Sequence, residues 1–169
     1  MTLRKLEDFS QLSPEIFRFF MKEEPLLAAG RAGDLNVMTI GWGGLGSLWN
    51  KPACTIYVRP TRHSFGFLER EDCFSVNLLS RKWAAELSYC GTVSGRDEDK
   101  VAHCGFELAY TDSGVPYVAQ SDLVLICKKI YADFIKPDLI LDPAVEDTMY
   151  PLKDYHRVYT GEVVEVFGR

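Results

Sequence analysis

The chain lacks an excess of positive charge. Its 169 residues carry 19 Lys and Arg against 24 Asp and Glu, which gives a formal net charge of −5. Proteins that bind nucleic acids or membrane surfaces by general electrostatic attraction need a surplus of basic side chains. The composition therefore argues against both roles, although it leaves room for a local basic pocket that holds a small anion.

Long apolar runs and paired cysteine motifs are also missing. No stretch approaches the ~20 apolar residues of a membrane-spanning helix, and the N-terminal MTLRKLEDFSQL has no apolar signal-peptide core. The five cysteines are odd in number, widely spaced and without a CxxC pair, which argues against zinc and against a disulfide framework. We expect no membrane span and no metal site, and a reducing, cytoplasmic setting.

The common signatures of catalysis and nucleotide binding are absent as well. The chain contains neither GxGxxG nor GxxxxGK[ST], and no Ser/His/Asp order or paired carboxylates stand out. No repeat or low-complexity linker divides it, and 47% of its residues are hydrophobic. This composition predicts one domain over residues 1–169, long enough to bury roughly 70% of its unfolded surface.

A succession of short strands is present instead. Alternation and β-branched residues predict strands at 26–32, 36–40, 53–58, 73–79, 108–110, 115–118, 123–134 and 157–167. Helices are predicted at 13–24, 64–71, 82–90 and 97–104. These helices are too few and too short for parallel βαβ winding, so the pattern favours a mainly β (α+β) barrel with helical decorations.

The stretch NVMTIGWGGLGSLWN, residues 36–50, begins as a strand and then becomes unusually bare. Four glycines and two tryptophans fall within nine residues of it. Such a backbone can approach a flat ligand closely and offer its N–H and C=O groups to the ligand's edge. The alternative is a glycine-rich hairpin turn whose tryptophans lie in the core.

The stretch RPTRHSF, residues 59–65, follows a predicted strand and opens a predicted helix. Arginine forks, hydroxyl donors and the free N–H groups of a first helical turn together suit a phosphate. The alternatives are that Ser64 only caps the helix and that the arginines are solvated.

Two further stretches are candidate binding segments. CGTVSGRDEDK, residues 90–100, places Arg96 and Lys100 about one helical turn apart. The alternative is that this stretch is an ordinary loop that leads into a capped helix. Cys90 is either a reactive thiol or a buried inert one. DYHRVYTGEV, residues 154–163, places His156 at the start of the last predicted strand, where it contacts a ligand or is simply a hydrogen-bonded residue.

Taken in this order, these stretches resemble the flavin reductase-like family, and within it the flavoredoxin-type branch. The resemblance covers about residues 20–167 and rests on NVMTIGWGGLGSLWNKP, YVRPTRHSFGFLE, FSVNLL, CGTVSGRDEDK and YHRVYTGEV. It implies a split β-barrel with Greek-key-like topology and a few short helices, non-covalently bound FMN and a homodimer. Many relatives carry a Ser/Thr-rich stretch where this chain has GWGGLGS, so backbone groups or Trp42 would replace hydroxyl contacts to the flavin.

The resemblance also implies roles for individual residues. The flavin ring would be flanked by Met38, Thr39, Ile40, Gly41, Trp42, Gly43, Ser47, Leu48 and Trp49. The ribityl phosphate would lie near Arg59, Arg62, His63 and Ser64, in a pocket that Cys90, Ser94, Arg96 and Lys100 help to close. His156 matches a histidine that lies near the flavin and the nicotinamide in many flavin reductases.

Three functions are compatible with this resemblance. The first is an FMN-dependent oxidoreductase that takes electrons from NAD(P)H and passes them to a flavin or another acceptor. The second is a flavoredoxin-like electron carrier that receives electrons from a redox partner protein. The third is a flavin-binding module without turnover. Since flavin performs the redox chemistry itself, the missing catalytic triad and metal cluster do not argue against an enzyme.

Overall fold

A computed structural model describes residues 24–169, together with Phe20 and strand residues 4–5. The helix predicted at 13–24 lies, apart from its residues Phe20 and Glu24, outside the described part. None of the helices in the described part is long and apolar enough to cross a membrane.

Strands dominate the described part of the chain. They are β1 (Arg4–Lys5), β2 (Leu26–Arg31), β3 (Asp34–Thr39), β4 (Gly43–Leu48), β5 (Lys51–Val58), β6 (Cys73–Leu78), β7 (Leu108–Tyr110), β8 (Pro116–Val118), β9 (Leu123–Phe134) and β10 (Arg157–Gly168). The helices are α1 (His63–Arg70), α2 (Ala84–Thr92), α3 (Lys100–Cys104) and α4 (Pro143–Met149), with 3₁₀ turns at Arg81–Trp83 and Pro137–Leu139.

The main sheet is antiparallel throughout. Its strands lie in the order β3-β2-β6-β9-β10-β5-β4, β1 pairs with the end of β10, and β7 and β8 form a separate hairpin. A mainly β fold with a few short helices is therefore confirmed. Parallel winding does not occur because the connections are turns and short helices rather than long crossover helices.

Strand β2 has buried side chains on both of its faces. Leu27 and Ala29 belong to the core enclosed by the main sheet and α1, whereas Leu26 and Ala28 belong to a second core under α2 and α3. Strand β3 is paired with β2, so it lies between the start of α1 on one side and residues 90–100 on the other. This layering brings two segments that are distant in sequence to the same strand.

The glycine-rich stretch is a strand rather than a turn, and the sequence-based interpretation was wrong here. Residues Gly43–Leu48 pair with β5 in register from Gly43↔Ile56 to Leu48↔Lys51. The turn is confined to Trp49 and Asn50, both with positive φ (53° and 58°), as in a two-residue type I′ hairpin. Backbone pairing needs no side chains, so an already formed β5 can template a glycine strand.

Helix α4 was also absent from the prediction. It begins with Asp142, whose Oδ1 accepts a hydrogen bond of 3.0 Å from the Ala144 N–H, followed by Pro143 in the first turn. Both are ordinary helix-start signals. These signals alone did not predict a helix, because no residue of this helix is buried and it therefore has no apolar face.

Gly161 marks a crowded point at the centre of β10, where its register with β9 shifts. A Cβ added there would lie 2.7 Å from the Cys127 Cβ and 3.2 Å from the Phe74 ring. We expect Gly161→Ala to lower the free energy of unfolding by about 1–3 kcal/mol, measured by urea denaturation. Gly46→Ala is the matched control, because nothing lies within 4 Å of its added Cβ. Equal effects of the two substitutions would contradict this account.

Candidate functional site

Two adjoining cavities lie where β3 meets α1 and the loop that follows α2. The first, which we call the polar cavity, has a volume of about 140 Å³ and is lined by Asn36, Met38, Thr61, Arg62, His63, Ser64, Cys90, Gly91, Thr92, Val93, Ser94, Gly95, Arg96 and Lys100. The second, the tryptophan cavity, has a volume of about 220 Å³ and is lined by Met38, Thr39, Ile40, Gly41, Trp42, Tyr57, Arg59, Arg62 and His156. They share the lining residues Met38 and Arg62 and so adjoin, and we call the two cavities together the groove.

The start of α1 supplies donors to the polar cavity. Asn36 Nδ2 donates a hydrogen bond of 2.7 Å to Ser64 Oγ, and both side chains are buried. Because Ser64 accepts this bond, its own hydroxyl hydrogen is free to donate. Arg62 directly precedes α1, and its guanidinium has no hydrogen-bond or ion-pair partner within residues 24–169. An unpaired guanidinium beside a buried hydroxyl donor is a suitable arrangement for an anion.

The loop after α2 closes the opposite wall. Arg96 Nη1 donates to the Thr61 carbonyl at 3.1 Å, which ties this loop to the segment before α1. A Cβ on Gly95 would collide with the Asn36 side-chain amide and lie 3.1 Å from His63 Cδ2. Only glycine therefore lets this backbone approach β3 and α1 so closely.

Lys100 and Cys90 lie at the back of the polar cavity. Lys100 is buried and its Nζ donates to the Cys90 carbonyl at 3.0 Å, and burial lowers the pKa of the amine. Burial next to Cys104 raises the pKa of the Cys90 thiol to about 12. The Cys90 side chain is thus a protonated thiol at neutral pH, which favours the inert alternative. The basic groups here also lower the pKa of His63, after the larger effect of burial.

The tryptophan cavity contains a neutral histidine. The rings of Trp42 and His156 lie with their centroids 4.5 Å apart, and His156 Nδ1 is 2.8 Å from the Tyr150 hydroxyl. Burial, and then the nearby Arg59, lower the pKa of His156 to about 4. Whether the Tyr150 hydroxyl or Nδ1 donates in this hydrogen bond depends on the tautomer of His156.

Arg59 has a structural role at the edge of this cavity. It lines the tryptophan cavity, not the polar one near which a phosphate was expected. Its guanidinium donates to Asp154 Oδ1 at 2.5 Å and to the Met149 carbonyl at 2.6 Å, and it lies 5.0 Å from the centre of the Tyr150 ring. These contacts fix the segment that carries Tyr150 toward His156.

Some of the predicted residues lie outside both cavities: Gly43, Ser47, Leu48 and Trp49. The last three lie at the turn end of the β4–β5 hairpin, where Trp49 is exposed and contacts Tyr131 edge-on. A Cβ added at Gly43 would collide with the Phe20 ring and the Thr55 carbonyl, which occupy the space that a side chain would need. The expected clearance for a ligand is therefore taken up at this position by the chain itself.

The remaining predicted residues all line the groove, and they come from four segments of the sequence: 38–42, 59–64, 90–100 and His156. Sequence reasoning missed Asn36, Tyr57 and Tyr150. Asn36 could have been found, since a polar residue inside a buried strand needs a partner. Tyr150 carried no such signal, because its role depends on a contact with His156 that only the folded chain makes.

The fold and the site together define a class of protein. It is a mainly antiparallel β-barrel protein in which a basic cavity adjoins an aromatic one, and such a site suits a planar ligand with an anionic end. The chain belongs to the family of flavin reductase like domains, whose model matches residues 21–169. The family resemblance and the split-barrel fold predicted from the sequence are thereby confirmed. None of the curated protein sequences matches this chain.

Solved structures with the same fold include a flavoredoxin and two proteins described as FMN-binding. Flavoredoxin from Methanosarcina acetivorans is 22% identical with a TM-score of 0.69, over 97% of this chain and 76% of that one. An FMN-binding protein from Thermus thermophilus is 17% identical with a TM-score of 0.68, over 96% and 75%. The FMN-binding domain of a flavin reductases-like enzyme from Shewanella baltica is 20% identical with a TM-score of 0.68, over 98% and 76%.

The lowered pKa of His156 makes stability depend on pH. The unfolded chain takes up a proton on this histidine near its ordinary pKa of about 6.5, whereas the folded chain does so only near 4. The stabilisation is therefore complete above about pH 6.5 and is lost as the pH falls toward 4, by up to roughly 3 kcal/mol. Urea denaturation across this range should show a smaller loss in His156→Gln. Parallel curves for the two proteins would contradict the buried neutral histidine.

Proposed function

We propose that this protein binds FMN non-covalently and acts as an FMN-dependent oxidoreductase of the flavin reductase type. The observation that carries the proposal is the groove, in which a basic cavity adjoins an aromatic one at Met38 and Arg62. FMN has the matching shape, a planar ring joined by a short chain to a phosphate. Relatives of the same fold are described as FMN-binding and flavoredoxin proteins, which supports this choice of ligand.

The polar cavity fits the phosphate end. Arg62 offers an unpaired fork, Ser64 a free hydroxyl hydrogen and Lys100 a buried positive charge. A dianion there would offset the cost of burying the lysine charge, which is the cause of its lowered pKa. Charge-assisted hydrogen bonds of this kind are shorter and stronger than neutral ones.

The tryptophan cavity fits the ring end. Trp42 leaves 40% of its surface exposed, although it is one of the largest apolar side chains, and it faces the cavity beside His156. Residues 39–41 line the same cavity, and Gly41 among them has no side chain to hinder the approach of a ring to its backbone. When bound, FMN supplies hydride and one-electron chemistry.

The chain's own residues would then bind, orient and donate. His156 is neutral, so it adds no charge to the cavity, and its Nδ1 is hydrogen-bonded to the Tyr150 hydroxyl; with that hydroxyl as the donor, Nε2 carries the proton. We assign His156 the role of a hydrogen-bond donor to the ring or to a reactant above it. It is not a general acid at neutral pH, because its low pKa leaves only a small imidazolium population.

We also propose that residues 1–169 form one FMN-binding domain and that it works as a cytoplasmic homodimer. Large apolar side chains remain exposed outside the two cavities, among them Trp49 at 62% and Leu152 at 83%. Contact with a second copy would cover surface of this kind.

The second candidate function is an electron carrier that accepts electrons from a redox partner protein and does not use a nicotinamide directly. The likeness to flavoredoxins favours it, because two of the solved structures carry that description. Both candidates need the same FMN site, and they differ in the electron donor. A flavin-binding module without turnover would bind FMN and accept electrons from neither donor.

Arg62→Ala should weaken FMN binding by about 10-fold or more, because a charged hydrogen bond contributes roughly 1.5–3 kcal/mol. The affinity is measured by quenching of flavin fluorescence in the apo protein. Arg70→Ala is the control: it removes an arginine from the other end of α1 that pairs with Asp34 outside both cavities. Unchanged affinity in Arg62→Ala, or an equal loss in both, would place the phosphate elsewhere.

Anaerobic reduction separates the two candidate functions. We expect NADH or NADPH to bleach the visible absorbance of the FMN-loaded protein promptly. Bleaching only by a reduced iron–sulfur or flavin protein would favour the carrier. Failure of every donor, with FMN bound, would leave the non-catalytic module.

A further inference from the structure

A large cavity on the main sheet lies apart from the groove. This outer cavity, as we call it, has a volume of about 840 Å³, and none of its lining residues lines the polar or the tryptophan cavity. Its floor is formed by Cys73 of β6, Lys128 of β9 and Val164 of β10. Phe74 and Cys127, the chain neighbours of the first two, belong to the core that α1 covers, so the first two side chains point to the opposite face of the sheet.

The floor of the outer cavity is partly apolar and partly exposed. Cys73 packs at the edge of a small apolar cluster that includes Val115 of the β7–β8 turn. Val164 is skipped by the register of β9 and β10, which shifts at this point, and 41% of its surface is exposed. Such a bulge re-aims a side chain and bends its strand. The floor therefore suits the apolar part of a ligand.

The β7–β8 turn is a preformed wall of this cavity. Gly114 has a positive φ of 86°, and its N–H donates to the Thr111 carbonyl at 2.9 Å. The hairpin is anchored to the sheet by Ser75 Oγ, which donates to the Pro116 carbonyl at 2.6 Å. A cavity of roughly 300–1,000 Å³ is typical of small-molecule sites, and a preformed wall lowers the ordering cost of binding.

Four charged side chains line the outer cavity, and two of them neutralise each other, because Arg31 Nε lies 2.7 Å from Glu71 Oε2. The charged groups of the other two, Lys128 and Asp72, have no hydrogen-bond or ion-pair partner within residues 24–169. Lys128 is in register with Cys73, and Asp72 directly precedes it. Burial raises the pKa of the Cys73 thiol, Asp72 raises it further and Lys128 lowers it, so both charges act at the floor.

These features select a ligand with an apolar body and charges of both signs. A simple carboxylate at Lys128 would be repelled by Asp72, and a simple amine at Asp72 would be repelled by Lys128. A zwitterion makes both contacts attractive. An α-amino acid carries its carboxylate and its ammonium group on one carbon atom, together with a side chain that can lie on the apolar floor.

We propose that the outer cavity binds a free α-amino acid with a large apolar side chain. Its carboxylate lies at the Lys128 amine, its ammonium group lies at the Asp72 carboxylate, and its side chain packs on Val164 and Cys73. The site is separate from the groove, so this binding function goes beyond the proposed oxidoreductase and does not depend on bound FMN.

Three probes that share one ring test each charge separately. They are L-phenylalanine, hydrocinnamate, which lacks the ammonium group, and phenethylamine, which lacks the carboxylate. Each is titrated into the isotope-labelled protein, and the NMR shifts of the Ala32, Gly114 and Val164 amides report affinity and position. L-Phenylalanine should bind about 3- to 5-fold more tightly than either analogue, a modest gain because Lys128 and Asp72 are exposed.

Substitutions assign each contact to its residue. Lys128→Met should remove the advantage of L-phenylalanine over phenethylamine, and Asp72→Asn should remove its advantage over hydrocinnamate. Lys82→Met is the control, since Lys82 is an exposed lysine that does not line this cavity. In the unsubstituted protein, L-phenylalanine should also slow the reaction of Cys73 with DTNB, because the other four cysteines are buried.

The inference is overturned if L-phenylalanine shifts none of these amides, or if either analogue binds as tightly as L-phenylalanine. An equal loss of affinity in Lys128→Met and Lys82→Met would also overturn it, because the loss would then not come from the cavity. The probes need no FMN, so a failure of FMN to bind would contradict only the proposed function.

Discussion

Strand β10 pairs along one edge with β9 and along the other with β5, and the candidate site depends on this double pairing. The register Arg157↔Val58 places the residue before β10 next to the residue after β5, which are His156 and Arg59. A slip of one residue would turn every side chain of β10 to the opposite face. Buried Tyr159 and Val163 make such a slip costly, so core packing also fixes the position of His156.

Two hydrogen bonds hold the walls of the polar cavity in place. Asn36 is committed to Ser64, and Arg96 is committed to the Thr61 carbonyl, so β3, α1 and the loop after α2 are tied together without using the Arg62 guanidinium. Within residues 24–169, the buried Lys100 amine has one hydrogen-bond partner, the Cys90 carbonyl. Burial is the main cause of the lowered pKa values of Lys100 and His63, and neighbouring positive charges lower both further, so an anion would relieve part of this cost.

The sequence predicted most of the strands and the helix α1 because their signals are local: alternation, β-branched residues and a polar start. It failed for β4, whose glycines carry no strand signal and whose order comes from pairing with β5. Through the family resemblance it also grouped Arg62, Ser64 and Lys100, which line one cavity in the structure. It did not reveal that Trp49 lies at a hairpin turn outside both cavities, because strand β4 between Trp42 and Trp49 has no sequence signal.

The sequence could not reveal the contacts that determine the charge states of the side chains at the site. The prediction placed His156 near a ligand, but its neutral form depends first on burial and then on the nearby Arg59, which is paired with Asp154. Arg59 and Arg62 look equivalent in the sequence, and only folding shows that the first is paired with Asp154 whereas the second has no partner within residues 24–169. Long-range partners of this kind have no local signature.

The most direct test of the account is the binding of FMN and riboflavin to the apo protein, measured side by side. The two ligands share the ring and differ in the phosphate, so their comparison reports on the junction of the two cavities. The account predicts FMN binding with riboflavin at least about 100-fold weaker, as loss of two charge-assisted hydrogen bonds implies. Equal affinities, or binding of neither ligand, would contradict it.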